Sequence, residues 1–184
     1  MKDLQRKWCK GLWGIVIVAA MMGLSACAGK IHYTVVPKTP AQIRAEYLNE
    51  LRSDGVQVIS LGETLRFVLS SDDLFNPGSA NLKAGATGTL QTLARLVSTY
   101  DKVNIRIAAY TDNVGNAEQQ RALTTRQAEV VSSFLWVQGI EARLEYAVGL
   151  GRAEPIASNS TSAGRHDNRR VEISFRYYLP TPYF

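Results

Sequence analysis

Residues 103–110, VNIRIAAY, place Val103, Ile105 and Ile107 at every second position, the period of a strand with one buried face. A short polar turn then leads into a helical run that starts near Ala117, with Asn116 as N-cap and Gln119 three residues on, and ends at Gly139. An earlier helix over 82–100, with Leu90, Leu93, Leu96 and Val97 on one side, feeds the same strand. Strands interleaved with two long helices hide their apolar faces together as an α/β (α+β) two-layer sandwich, the helices packed on one mixed sheet. The other strands fit that plan. VQVISL (56–61) and TLRFVL (64–69) form a hairpin through Gly62-Glu63, and ARLEYAV (142–148) follows the second long helix. RRVEISFRY (169–177) closes the series, Val171, Ile173, Phe175 and Tyr177 alternating with Arg170, Glu172, Ser174 and Arg176. Upstream, 41–53 reads as a short helix with Ile43, Tyr47, Leu48 and Leu51 at helical spacing, ended by Gly55. Residues 70–81 and 149–167 read as long polar loops. On the second long helix, Leu123, Val130, Phe134 and Val137 form the expected inward stripe, with Gln127 at its edge.

The N-terminus reads as a targeting segment. A basic head over residues 1–10 precedes GLWGIVIVAAMMG (11–23), apolar and too short to span a bilayer comfortably. LSAC, ending at Cys27, resembles the bacterial lipobox, in which the cysteine is diacylated and the chain is cut just before it. Ala28 stands where an aspartate would favour retention in the inner membrane, so the resemblance implies an outer-membrane lipid anchor with the protein body in the periplasm. Acyl chains bury methylenes at about 0.8 kcal/mol each, enough for several chains to hold the protein firmly. The expected organisation is a lipoprotein signal peptide (1–26), a lipidated tether (27–40), an N-terminal helix and first strand (41–62), the main domain (63–178) and a tail (179–184).

Charge and cysteine usage narrow the function classes. Four of the 21 bases and one of the 16 acids lie in the first 26 residues, leaving 17 against 15 and a net charge of +2. That balance and the lack of a phosphate-binding basic run argue against nucleic acid. With Cys9 in the signal and Cys27 lipidated, no thiol remains for a disulfide, a zinc site or a nucleophile. His32 in the tether and His166 in a polar loop make no metal cluster, and no cofactor is called for. No nucleophile motif supports a hydrolase, so the expected role is not enzymatic.

Three stretches then resemble one family together: LFNPGSANL (74–82), TDNVG (111–115) leading into ALTTRQAEVV (122–131), and PIASNSTSAGRHDNRRVEISF (155–175). They are similar to the OmpA-like peptidoglycan-binding domain, found in peptidoglycan-associated lipoproteins and flagellar stator proteins, over about residues 65–177. The resemblance implies a βαβαββ domain and a ligand, the diaminopimelate of the cell-wall stem peptide, whose free end carries an ammonium and a carboxylate on one carbon. In the family an aspartate takes the ammonium and an arginine fork takes the carboxylate by paired hydrogen bonds.

Asp112 matches the family aspartate; the alternative is a turn former bonded to its own backbone. Alignment on Leu123 puts Gln127 where the family has its arginine, and Gln120 on the preceding asparagine. Arg126 stands next door, but helix neighbours point about 100° apart. Asn76 falls where the family usually has an acid, or is simply a loop residue before Pro77. Arg169 either lines the cleft and restores positive charge or, with Arg170, anchors the loop. Exchanging a guanidinium for a neutral amide loses about 1–2 kcal/mol, roughly ten- to thirtyfold in affinity. The expected function is therefore a lipoprotein that binds peptidoglycan without catalysis, in weakened form, and anchors an envelope assembly to the wall. The alternative is a structural subunit of an envelope complex whose domain serves protein contacts. SDGVQVISLGETLRFVLSSDDLFNPGSANL (53–82) is similar to small lipoproteins of secretion systems, including the Dot/Icm type IVB class.

Overall fold

The computed structural model describes residues 37–141 and 145–178. The chain divides at residue 37 into two units, and the described residues all belong to the second. Cys27 with its lipobox, the tether as far as residue 36, the start of the predicted fourth strand at 142–144 and the tail from 179 lie outside them.

Helix α1 (Pro40–Ser53) starts at a reciprocal cap: Thr39 Oγ1 accepts from the Gln42 amide while the Gln42 side chain accepts from the Thr39 amide. Pro40 sits in the first turn, where its missing N–H costs nothing. Strands β1 (Gln57–Leu61) and β2 (Thr64–Ser70) form the expected hairpin. A four-residue helix α2 (Ser71–Leu74), helix α3 (Ala86–Ser98), strand β3 (Lys102–Tyr110) and helix α4 (Ala117–Val137) follow. Strand β4 (Glu145–Gly151), helix α5 (Ser162–Asn168) and strand β5 (Arg170–Tyr177) complete the domain. The sheet order is β1-β2-β5-β3-β4, with β3 and β4 parallel and every other pair antiparallel. From β2 onward the long elements run βαβαββ.

Register explains the core. Three rungs cross the sheet: Leu65–Phe175–Ile105, Phe67–Ile173–Ile107–Ala147 and Leu69–Val171–Ala109. Alternation puts them on one face, where Leu90, Leu93, Leu96 and Val97 of α3 and Val131 and Leu135 of α4 complete one buried cluster. Each fully buried side chain of this size contributes about 1.5–3 kcal/mol. Helix α1 docks on α3 through Leu51, and Thr92 donates to Glu50 at 2.9 Å.

Three expectations need correction. The buried stripe of α4 is Gln120, Thr124, Gln127, Ala128, Val131 and Leu135; of the expected stripe, Val130 and Phe134 are half-buried against the core, and Val137 is 71% exposed. Gln127 therefore lies within the buried face. The reason is close packing: α4 approaches β4 so tightly that a Cβ on Gly149 would fall 2.1 Å from the Thr125 nitrogen, and Thr124 Oγ1 accepts from the Gly151 amide at 3.0 Å. Small and polar side chains fit that contact better than the large apolar ones. The two polar loops carry helices α2 and α5, and α3 begins at Ala86 because Leu82 is drawn into a bridge with Phe75. Finally, β5 is buried on both faces at Arg170 and Glu172, which pair at 2.7 Å, with the Arg170 guanidinium 3.8 Å from the centre of the Tyr110 ring.

Candidate functional site

At the end of β3 the chain turns through 111–116 into α4. Asn116 Oδ1 accepts from the amides of Glu118 and Gln119 and starts the helix, as its sequence position suggests. Asp112 turns inward. Its residue is 7% exposed, its Oδ1 accepts from the Val114 amide at 2.9 Å, and its Oδ2 accepts from Arg169 Nη1 at 2.6 Å. Asp112 thus caps its own turn, as the turn-former reading expects, and it also lines a cleft.

That cleft, about 400 Å3, lies between α2 with the following 75–83 segment, the 110–114 turn and the first half of α4. Asn76, Asp112, Gln120, Leu123, Gln127 and Arg169 all line it. Arg126 does not; it is exposed on the outer side of α4, one residue and about 100° from the buried Gln127. Gln127 donates through Nε2 to the Ser79 carbonyl at 2.9 Å, stapling the 76–81 loop to the helix, and Gln120 Nε2 donates to the Val114 carbonyl. The Gln120 Oε1 and Ser71 Oγ atoms are buried without a partner among the described residues, and both residues line the cleft.

Arg169 is the electrostatic centre. It closes α5 and reaches into the cleft between two carboxylates. Nη1 bonds Asp112, while Nε (2.9 Å) and Nη2 (2.6 Å) grip Asp72. His166 Nδ1 lies 2.9 Å from the same Asp72 carboxylate. The Arg169 hydrogen bonds hold the Asp72 carboxyl below its usual range, against an opposing effect of burial and with further help from His166. The two acids in turn keep the guanidinium firmly charged.

Asn168 orders the approach to Arg169. Fully buried, its Oδ1 accepts from the amides of Ile156 (2.8 Å) and Ala157 (3.0 Å), and its Nδ2 donates to the Ala157 carbonyl and to Asn159 Oδ1. Thr161 caps α5, whose Gly164 passes so near the Ser158 carbonyl that a Cβ would sit 2.1 Å from it. The polar 155–168 segment therefore forms a rigid clamp that aims Arg169. Arg170 anchors elsewhere, to Glu172 and the Glu154 carbonyl.

Asp72, Lys83 and Ser71 also line the cleft and were not singled out from sequence. The acidic pair Asp72-Asp73 in the first turn of a helix was the available sign. A second hollow, about 450 Å3, lies beside α5 and is lined by Val68, Ile156 and Arg170 among others; of the predicted site residues only Arg169 reaches it. Among the described residues no group of His, Cys, Asp and Glu is arranged to hold a metal ion, and no helix is long and apolar enough to cross a membrane.

Residues 74–169, slightly more than half of the 184-residue chain and enclosing this cleft, match the OmpA family. The chain belongs to the OmpA family. It is 35% identical over 130 residues to the Escherichia coli lipoprotein YiaD, covering 71% of this chain and 59% of YiaD. To the outer-membrane lipoprotein YfiB of Pseudomonas aeruginosa it is 30% identical, over 92% of this chain and 95% of YfiB. The peptidoglycan-binding protein ArfA of Mycobacterium tuberculosis is 34% identical over 99 residues, 54% of this chain and 30% of ArfA. The fold also superposes on the cell wall anchor of the type VI secretion system from Pseudomonas aeruginosa, with a TM-score of 0.66 at 22% identity over 76% of this chain and 98% of that one. This OmpA domain thus has the family's mixed sheet with its cleft at the β3–α4 turn.

Proposed function

We propose that the chain is an outer-membrane lipoprotein, acylated at Cys27, whose periplasmic OmpA domain (63–178) binds the diaminopimelate stem peptide of peptidoglycan and anchors an envelope assembly to the wall. The observation that carries this reading is the convergence of Asp112, Gln120, Leu123, Gln127, Asn76 and Arg169 on one 400 Å3 cleft. Four segments separated in sequence supply those positions, and the cleft holds both signs of charge, as a zwitterion requires. The likeness to YfiB over almost its whole length supports the lipid anchor, and the likeness to ArfA supports the wall ligand. In this reading the signal peptide (1–26) is removed, residues 27–40 tether the domain, and 41–62 supply α1 and β1. The cleft binds without catalysing: its acids are held by Arg169 and its α4 wall is neutral amide. An ammonium would share Asp112 with Arg169.

Calorimetric titration of the full chain in detergent with a diaminopimelate stem peptide tests the proposal. Asp112→Ala abolishes binding, with a thermal melt confirming a folded variant. Gln127→Arg tightens it about ten- to thirtyfold. Gln127 itself favours a second reading, a subunit of a secretion-system or other envelope complex that uses the domain for protein contacts. No heat from the native chain, with binding by Gln127→Arg, would select that reading and overturn the first.

A further inference from the structure

The exchange at position 127 leaves open what neutralises a ligand carboxylate. Arg169 is committed: Nε, Nη1 and Nη2 each donate to Asp72 or Asp112. Gln120 and Gln127 each spend an amide N–H on a backbone carbonyl. Those carbonyls only accept, which fixes the orientation of both amides. The α4 wall therefore carries no charge, and at Gln120 it leaves a buried acceptor, Oε1, unpaired among the described residues.

One other cation lines the cleft. Lys83, half-buried, extends beneath α2 and donates to the main-chain carbonyl of Asp72 at 2.5 Å. A carbonyl positions an ammonium without neutralising it, and two of its three N–H groups remain free of protein partners among the described residues. From these contacts we infer that Lys83 takes the carboxylate of the bound zwitterion in place of an arginine at position 127. The ammonium then lies toward the acceptor groups, Asp112 and Gln120 Oε1. This inference rests on the wall-binding reading above and assigns the part of the site that holds the ligand's negative end. A lysine binds as a point charge without the planar fork of arginine, so the arrangement demands a charged carboxylate but tolerates its rotation.

The test uses the full chain in detergent and two probes: a stem peptide ending in the free diaminopimelate carboxylate, and the same peptide with that carboxylate converted to the carboxamide. The native chain binds the acid about tenfold more tightly than the amide. Lys83→Met loses that tenfold preference by weakening the acid alone, and Lys83→Arg, which keeps the charge, retains it. Equal binding of the two probes by the native chain overturns the inference, as does a preference that survives in Lys83→Met; either result leaves the wall-binding reading standing. If neither probe binds the native chain, that reading fails and the assignment of Lys83 fails with it.

Discussion

Replacing Arg169 with glutamine probes how the cleft is held together. The guanidinium bridges two unequal acids: the Asp112 side chain is 10% exposed and the Asp72 side chain 41%. The Asp72 arm is screened by solvent and is worth about 0–1 kcal/mol. The Asp112 arm is a charge-assisted bond at 2.6 Å in a drier place, worth about 1.5–3 kcal/mol, and its loss strands a buried carboxylate on one backbone amide. Together Arg169→Gln should cost about 2–3 kcal/mol by equilibrium urea unfolding at pH 7. If the cost is that of a stranded charge, Asp112→Asn added to Arg169→Gln recovers about 1 kcal/mol, because an unpaired amide is cheaper to bury than an unpaired anion. The pH dependence follows from Asp72. Its folded carboxyl lies below the ordinary 3.8, so the stability it contributes is present above about pH 4 and disappears as pH falls through the folded value. Native and Arg169→Gln stabilities should therefore converge in acid. A cost below about 0.5 kcal/mol, or no recovery in the double variant, would refute the idea that this bridge holds the cleft.

Three other substitutions test separate parts of the fold. Asn168→Ala removes four hydrogen bonds from a fully buried site, so a loss of about 2–4 kcal/mol in urea unfolding is expected, with faster hydrogen exchange at the Ile156 and Ala157 amides. Gly149→Ala drives a methyl into the α4 backbone 2.1 Å away and should cost about 1–3 kcal/mol or more, whereas Gly88→Ala, in open space on α3, should be neutral or stabilising in the same melt. Burial raises the Glu145 carboxyl, partly countered by the Ser132 hydroxyl at 2.6 Å, and Glu145 Oε1 has no partner among the described residues. A raised carboxyl contributes stability that is present at low pH and lost as pH rises through the folded value. Glu145→Gln should therefore raise the calorimetric melting temperature at pH 7 and not near pH 4.

Local physics made the secondary structure legible from sequence. A strand's alternation, a helix's repeat and the cap at Asn116 depend on residues a few positions apart, so Ile105, Ile107, Leu90 and Leu93 declared their buried faces directly. The helical stripe of α4 was legible only in part, at Val130 and Phe134, because its inner face is set by how closely β4 allows it to approach, and only the packed sheet brings Gly149 against Thr125. Motif spacing likewise marked Asp112 and Gln127 but could not place their partners. Asp72 and Arg169 are 97 positions apart, and no periodicity links them. Strand pairing decides it: β5 lies between β2 and β3, so Arg169, just before β5, emerges between the end of β2 with Asp72 and the end of β3 with Asp112. Sequence alone thus determined the long elements and six positions facing the cleft, while helices α2 and α5 and the lining residues Asp72 and Lys83 escaped it. The tertiary fold determined the charge balance inside it, because Coulomb interactions depend on distance in space and not along the chain.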